Sequence, residues 1–190
     1  EIEYSTLTRY NGNYSSFEER DAVRIEEKNG ITYTLLGYTY GTNGIPIPAG
    51  KEYLVNLYSD EQAKADIEKV RDQVDVVMVS MHWGNEYTHS PSVYQLDAAK
   101  FLADQGVDII IGTHPHVVMP VTWIDNTLVI YSLGNLLSAQ TTVSDYNTMV
   151  GLMTTVKITK KIDEEKTTIT ISDVNNELLL TYFDNYTNFK

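Results

Sequence analysis

The sequence of 190 residues contains no cysteine. A disulfide framework, a thiolate metal site and a nucleophilic thiol are therefore excluded. The chain also lacks any run of about 18 apolar residues, the length that a membrane-spanning helix requires. There is no Gly-x-Gly-x-x-Gly segment, no Walker-type phosphate loop and no Gly-x-Ser-x-Gly nucleophile elbow. The common signatures of nucleotide-binding proteins and serine hydrolases are thus absent.

Positive charge is also scarce. The chain has 14 lysines and arginines against 26 acidic residues, which gives a formal net charge of -12. Its longest basic string is Lys160-Lys161. Nucleic-acid binding requires clustered basic side chains to contact phosphates, so we expect no nucleic-acid partner. A polyanion is expected to bind only through a local site such as a metal ion.

The composition is that of a globular protein, with 42% hydrophobic and 21% charged residues. We predict one domain over residues 1–190, with a core at 31–156 and a β-rich tail at 157–190. The chain begins without an initiator methionine or a signal peptide. We therefore expect it to be part of a longer precursor.

The order of predicted elements indicates an α/β fold. Strand, helix, strand, helix and strand follow one another between residues 31 and 111, which favours crossover connections and a largely parallel sheet. Capping residues precede both helices, at Ser59 with Gln62 and at Ser92 with Gln95. We predict helices at 60–73 and 92–105, strands at 31–40, 53–57, 75–81 and 107–111, a strand pair at 121–124 and 128–132, a β-hairpin from 149–160 and 166–173, and a further strand at 178–183.

Three of the four histidines follow buried strands directly. His82 comes after the apolar run at 76–81, and His114 and His116 come after the run at 107–111. Parallel sheets place their ligand sites beyond the carboxyl ends of strands, and histidine is a frequent metal ligand and acid or base. We predict that these three imidazoles converge as metal ligands. His82, His116 and Glu86 are the candidate catalytic groups, with Glu86 as a supporting carboxylate or an acid/base.

The segment His114-Pro115-His116 is the sharpest local feature. Residues two apart in an extended chain point the same way, and Pro115 favours an extended conformation for His114. For His114 and His116, the alternative that remains open is a loop with two exposed histidines. For His82, it is a core histidine hydrogen-bonded to backbone. Asn135 lies in a third strand-end loop and is predicted to line the same rim, unless that loop is a plain turn. His89 is expected to be solvated.

Three motifs in order carry a family resemblance. They are His-Trp-Gly-x-Glu-Tyr at 82–87, Gly-x-His-Pro-His at 112–116 and Ser-Leu-Gly-Asn at 132–135. With them, roughly residues 10–156 resemble the CapA family, the poly-γ-glutamate capsule-biosynthesis proteins. This family in turn is similar to calcineurin-like metallophosphoesterases, whose fold is an α/β/β/α sandwich around two metal ions.

The resemblance implies a partial sandwich of this type with a carboxyl-terminal β-hairpin region. It implies that His82, His114 and His116 are ligands of divalent metal (Mn, Fe or Zn). The implied role is synthesis, export or anchoring of an anionic capsule polymer, poly-γ-glutamate, together with other capsule-synthesis membrane proteins. The implied location is the extracellular face of the bacterial membrane, with an anchor upstream of this chain. A phosphoester substrate is also implied.

The chain departs from the family pattern in one large respect. An Asp near a first strand, an Asn-Leu-Glu segment and an Asn-Asn-His segment are expected and not found. The chain therefore resembles the carboxyl-terminal part of the domain, with half of the ligand set. We expect an uncovered apolar face, filled by self-association or by the missing amino-terminal part, and little activity of the chain alone. Two alternatives stay open: a non-catalytic capsule module, or a metal-dependent hydrolase unrelated to capsule.

Overall fold

A computed structural model describes residues 12–22, 24–138, 140, 146–164, 166–184 and 188–189. Within these ranges the chain forms three α-helices and ten strands. The helices are α1 (Phe17–Asp21), α2 (Asp60–Val70) and α3 (Val93–Asp104). The strands are β1 (Glu26–Lys28), β2 (Ile31–Thr39), β3 (Val76–His82), β4 (Ile109–Thr113), β5 (Val121–Ile124), β6 (Thr127–Ile130), β7 (Val150–Ile162), β8 (Thr167–Leu180), β9 (Phe183–Asp184) and β10 (Asn188–Phe189).

Six strands form the main sheet, in the order β1-β2-β3-β4-β6-β5. The four central strands, β2, β3, β4 and β6, are parallel, and β1 and β5 flank them in antiparallel orientation. Strands β3 and β4 pair with Met78 opposite Ile109 and His82 opposite Thr113. The predicted parallel pairing of these two buried strands is confirmed. Helices α2 and α3 are the connections between β2 and β3 and between β3 and β4.

Both crossover helices begin at the serines expected from the sequence. The Ser59 hydroxyl accepts a hydrogen bond from the backbone N–H of Gln62 at 3.1 Å. Ser92 and Gln95 form a reciprocal capping box, which satisfies backbone donors that the first helical turn leaves unpaired. Helix α3 is followed by Gly106 with φ +85°, a left-handed conformation that glycine adopts without steric cost. These local signals set where the helices lie relative to the strands.

The hydrophobic core lies between the two helices and one face of the sheet. Ile67 of α2 and Leu102 of α3 are buried against Val77 and Val79 of β3. Burying a side chain of this size contributes about 1.5–3 kcal/mol. The alternation along β3 directs Val77, Val79 and Met81 to this core, whereas Met78, Ser80 and His82 point to the opposite face and are only half-buried.

The β7–β8 hairpin covers that opposite face incompletely. The Lys160 ammonium contacts the Asp75 carboxylate at 2.7 Å and so ties the hairpin to the sheet. Between the two layers lies a cleft of about 690 Å³, whose apolar walls include Tyr33, Met78 and Ile158. The layers are therefore helices, parallel sheet and hairpin, and the mixed α/β class with a carboxyl-terminal hairpin is confirmed. Among the described helices, none has the length and apolar character needed to cross a bilayer.

Two predicted strands are wrong. The segment 53–57 instead contains a 3-10 turn at Glu52–Leu54. Beyond the turn, the buried Asn56 donates from Nδ2 to the carbonyl of Gly37 at 2.9 Å, and Leu57 makes only an isolated bridge with Thr39. The segment 178–183 is not a further strand, because β8 runs without interruption to Leu180, opposite Val150.

Candidate functional site

The carboxyl ends of the parallel strands bring the histidines together. His82 is the last residue of β3, and His114 follows β4 directly. Tyr40 follows β2, and its backbone N–H donates to the carbonyl of His82 at 2.9 Å. Asn135 lies beyond β6. The rim at this edge consists of Tyr40, His82, Glu86, Tyr87, His114, His116 and Asn135.

The imidazoles form a contiguous row. The ring centroids of His82 and His114 lie 4.5 Å apart, and those of His114 and His116 lie 6.2 Å apart. Tyr40 stacks on His82 with an interplanar angle of 9° and also packs against His114, at a centroid distance of 4.9 Å. The structure thus brings together all three predicted ligands. Their roles as metal ligands or catalytic groups remain predictions.

The loop that carries the second pair is not extended, which corrects the prediction for His114-Pro115-His116. His114 has φ +98° and His116 has φ +62°. Residues with side chains rarely adopt this conformation, and it costs about 1–2 kcal/mol each. A hydrogen bond from the Tyr87 backbone N–H to the Pro115 carbonyl, at 2.8 Å, helps to hold the bend. The two imidazoles therefore meet through backbone bends and not through an extended dipeptide.

Glu86 and Tyr87 approach His116 from the β3 loop. The Glu86 Oε1 atom lies 3.8 Å from His116 Nε2, which is too long for a hydrogen bond. The Tyr87 ring stacks on the His116 ring with centroids 5.8 Å apart and an interplanar angle of 21°. Glu86 is thus placed at the rim, next to one of the two catalytic histidines that the sequence suggested.

Asn135 makes three polar contacts at the site. Its Oδ1 atom lies 3.0 Å from His116 Nδ1. Its Nδ2 group donates to the His116 carbonyl at 3.2 Å and to the Thr148 carbonyl at 2.8 Å. The predicted rim position of Asn135 is therefore also a point where the β6 loop, the histidine loop and the turn before β7 meet.

A buried layer beneath the rim fixes the strand ends. The Trp83 indole donates from Nε1 to the Tyr131 carbonyl at 3.0 Å and stacks on the Tyr131 ring. Trp83 also donates its backbone N–H to the Thr113 carbonyl at 3.2 Å. Gly112 packs here because a Cβ atom at this position would lie 2.1 Å from the Tyr131 carbonyl oxygen. Close packing thus joins β3, β4 and β6 directly below the histidines.

The site keeps two of its imidazoles neutral. Burial lowers the pKa of His82, and the neighbouring His114 and His116 lower it further, against the opposing effect of Glu86. Burial also lowers the pKa of His114, opposed by Glu86 and aided by His116. Both pKa values therefore lie below the ordinary value of about 6.5, so these rings are neutral near pH 7 and present unprotonated nitrogen.

The donor types suit a divalent ion, but their arrangement does not suit a pair of ions. Neutral imidazole and carboxylate are ligands for Zn²⁺ and Fe²⁺. A two-metal centre also needs a bridging oxygen ligand, and among the residues that the structure describes only the Glu86 carboxylate acts on the pKa of His82 or His114. In the described part of the chain, no three His, Asp or Glu side chains are grouped around one point. Gathering the three imidazoles around one ion requires rotation of side chains.

Sequence reasoning missed the two rim tyrosines. Tyr40 follows a parallel strand directly, so the rule that found the histidines also applies to it. Tyr87 ends the His-Trp-Gly-x-Glu-Tyr motif at 82–87, but its stacking on His116 was not predictable, because that contact depends on the bend of the other loop. His89, expected to be solvated, is exposed, and its Nδ1 lies 3.1 Å from the Val118 carbonyl.

The mixed α/β fold has a counterpart among solved structures. A solved structure of a protein assigned as a 5′-nucleotidase, from Staphylococcus aureus, superposes with a TM-score of 0.50 at 19% identity, over 85% of this chain and 30% of that one. At this level of identity the likeness concerns the fold alone. The fold class is therefore mixed α/β, defined by the parallel sheet, its helices and the hairpin layer.

The chain belongs to the family described as bacterial capsule synthesis protein PGA_cap, whose profile matches residues 6–140. It is 33% identical over 132 residues to the PGA biosynthesis protein CapA of Bacillus subtilis (strain 168), covering 64% of this chain. It is 34% identical over 131 residues to the capsule biosynthesis protein CapA of Bacillus anthracis, covering 66% of this chain. The match covers 32% of each relative, about a third of its length. The resemblance predicted from the three motifs is confirmed.

Proposed function

We propose that this chain forms the histidine-bearing part of a bacterial surface protein that handles an anionic capsule polymer, poly-γ-glutamate. The role would be synthesis, export or anchoring at the extracellular face of the membrane, beside other capsule-synthesis membrane proteins. The observation that carries this proposal is the row of three imidazoles at the carboxyl edge of the sheet, in a chain of the capsule synthesis family.

Charge determines how such a polymer would bind. The chain carries a net charge of -12, and poly-γ-glutamate is itself an anion. Among the charged groups that act on the pKa of His82 and His114, none is a lysine or arginine. The lowered pKa of both rings also disfavours imidazolium at neutral pH. A polymer carboxylate at this rim therefore needs a positive charge that the described side chains do not supply.

A single divalent ion would supply that charge. His82, His114 and His116 are the side chains that would hold it, with Glu86 beside them. The lowered pKa values of His82 and His114 leave their nitrogens ready to bind a cation without first losing a proton, and metal affinity depends on such deprotonated ligands. When bound, the ion would pair with carboxylates of the polymer, much as counterions link acidic surfaces.

A cleft next to His82 provides the space. It has a volume of about 320 Å³, and its lining includes Asn13, Thr39, Ser80 and His82. This lies at the lower limit of small-molecule sites, which is about 300 Å³. Amide and hydroxyl groups at these positions are suited to hydrogen bonds with the peptide-like groups of a polymer. We propose that one or two units of the chain occupy it.

Hydrolysis of a phosphoester or amide is the catalytic form of this proposal. His116 and Glu86 would be the groups that move a proton to or from the substrate, and their Nε2 and Oε1 atoms lie 3.8 Å apart at the rim. The ligand set lacks a bridging carboxylate, so we expect little phosphoesterase activity from this chain alone. We expect higher phosphoesterase activity from the longer capsule-synthesis relatives.

A non-catalytic capsule module is the second candidate. It is favoured by one observation: within the part of the chain that the structure describes, no three potential ligands are grouped for a metal. In this form the rim would recognise the polymer or a partner protein through its tyrosines and neutral histidines alone.

Calorimetric titration with Mn²⁺ or Zn²⁺ distinguishes the two forms. We expect weak binding of at most one ion by the intact chain, and its loss in a His114→Ala, His116→Ala double variant. His89→Ala is the matched control, because His89 lies outside the imidazole row, and it should bind as the parent does. Poly-γ-glutamate binding should then require the ion and disappear with a chelator.

Two results would contradict the metal-dependent form. Tight binding of two ions would show that the ligand set is complete. Polymer binding that persists in chelator would favour the non-catalytic module.

A further inference from the structure

We propose that Asn135 is a positioning residue that fixes the tautomer of His116, so that Nδ1 carries the proton and Nε2 presents a lone pair to the rim. The tautomer itself follows from hydrogen bonds within the chain. Its use in metal or proton chemistry rests on the proposed function.

The orientation of the Asn135 amide is set by two backbone carbonyls. One end of the amide lies 3.2 Å from the carbonyl oxygen of His116 and 2.8 Å from that of Thr148. A carbonyl oxygen only accepts hydrogen bonds, so this end must be the NH₂ group, which has two protons to donate. The reverse orientation would place an amide oxygen against two carbonyl oxygens. Oδ1 therefore faces the imidazole.

The amide oxygen in turn sets the proton on the ring. Oδ1 lies 3.0 Å from His116 Nδ1, which is hydrogen-bond distance. In a neutral imidazole one nitrogen donates and the other accepts. Since Oδ1 only accepts, Nδ1 must be the donor, and Nε2 is left without a proton. No side chain other than Asn135 is needed for this conclusion.

The resulting tautomer is the less common one. A neutral imidazole in water favours the proton on Nε2, so the site reverses the ordinary preference. Nε2 of His116 is the ring nitrogen 3.8 Å from Glu86, on the side of the rim. With its lone pair exposed there, it is able to accept a proton or to bind a cation, whereas the ordinary tautomer would place a proton in the way. Metal-binding histidines commonly donate their other ring N–H to a carboxylate, a backbone carbonyl or water, which fixes the tautomer in the same way.

The same amide links the site to the hairpin. Thr148 is buried in the 3-10 turn Tyr146–Met149, immediately before β7. Gly134, the residue before Asn135, has φ +64°, and a Cβ atom there would lie 2.6 Å from the Val150 carbonyl oxygen. The position of Asn135 is therefore held by β7 on one side and by the histidine loop on the other.

Nitrogen-15 NMR of the imidazoles tests the proposal directly. The chain would be labelled with ¹⁵N-histidine and recorded at pH about 8.5, above the ordinary pKa of imidazole. We expect His116 to show a protonated Nδ1 and an unprotonated Nε2. In Asn135→Ala, the ratio of this form to the other should fall about tenfold, the effect of losing one hydrogen bond.

His89 is the internal reference. Its Nδ1 faces the Val118 carbonyl, which likewise only accepts, so its Nδ1 should stay protonated in every variant. A predominant Nε2–H form of His116 in the intact chain would overturn the proposal. An unchanged ratio in Asn135→Ala would also overturn it. If Asn135→Ala does not fold, the spectrum of the intact chain decides the question by itself. None of these readouts depends on metal, polymer or activity, so failure of the proposed function would leave them unaffected.

Discussion

Gly112 is the position where a single methyl group should do the most damage to the site. It lies in β4, two residues before His114. An added Cβ atom would lie 2.1 Å from the Tyr131 carbonyl oxygen and 2.6 Å from Nε1 of Trp83. Neither neighbour is the end of a flexible side chain: one is the backbone beyond β6, and the other is a fully buried indole. Gly112→Ala must therefore displace β4 from its neighbours.

The cost has two parts. Overpacking a tight interior typically costs about 1–3 kcal/mol. Separating Trp83 from the Tyr131 carbonyl leaves a buried donor and acceptor unpaired, which costs about 1–3 kcal/mol more. We expect the free energy of unfolding to fall by about 2–5 kcal/mol, a large share of the 5–15 kcal/mol typical of a domain. His114 should also move relative to His82.

Urea denaturation, followed by tryptophan fluorescence, measures this loss. With a slope of about 1–3 kcal/mol per molar urea, the midpoint should fall by about 1–2 M. Gly41→Ala is the matched control, because nothing lies within 4 Å of a Cβ atom there and its φ is ordinary. That variant should be neutral or stabilised by about 0.4–1 kcal/mol. Equal midpoints for Gly112→Ala and the parent would refute the packing argument.

Three further predictions concern pH, the hairpin and association. Because the pKa values of His82 and His114 are lowered by burial, the unfolded chain binds more protons, so stability should fall as pH drops below about 6.5 towards the lowered pKa values. Between pH 7.5 and 5.5, the urea midpoint should change less steeply with pH in the double variant His82→Gln, His114→Gln than in the parent. Equal steepness in the two proteins would count against this explanation. Lys160→Met should cost about 1–3 kcal/mol by leaving Asp75 without its cation, whereas the exposed Lys161→Met should cost less than about 0.5 kcal/mol. Hydrogen exchange in β7 reports the first effect, and equal protection in both variants would disprove it. The apolar walls of the cleft between sheet and hairpin predict self-association. Sedimentation velocity checks this, and a strict monomer at all concentrations would contradict it.

The elements of the sheet and its helices were predictable because their signals are local. Capping serines, a glycine in the left-handed conformation and continuous apolar runs each act over a few residues. Ser59 and Ser92 cap the helices as predicted, and Gly106 ends α3 as predicted. The arrival of His82 and His114 at one edge also followed from sequence, since parallel strands share a carboxyl edge. The family was predicted from three short motifs that occur in the family's order, at 82–87, 112–116 and 132–135.

The β7–β8 hairpin is longer than the alternation of apolar and polar residues in the sequence predicted. Strand β8 continues to Leu180 because its pairing with β7 continues on both sides of a bulge, where the register shifts between Thr155 and Lys157. A bulge inserts one residue and reverses the alternation that a sequence pattern relies on. The end of β8 was therefore predicted too early, at residue 173, and its last residues were predicted as a separate strand at 178–183.

The detailed site was decided by contacts between distant segments. The sequence determined that His82, His114, His116 and Asn135 reach the rim, because each lies just beyond the end of a strand. The tertiary structure alone decided how they meet: the left-handed bend at His114 and His116, the stacking of Tyr87, and the amide of Asn135 against the His116 ring. The reason is physical. Residues 19 to 29 positions apart impose these conformations on each other. A positive φ is uncommon even for histidine, and a free imidazole does not favour the Nδ1–H tautomer.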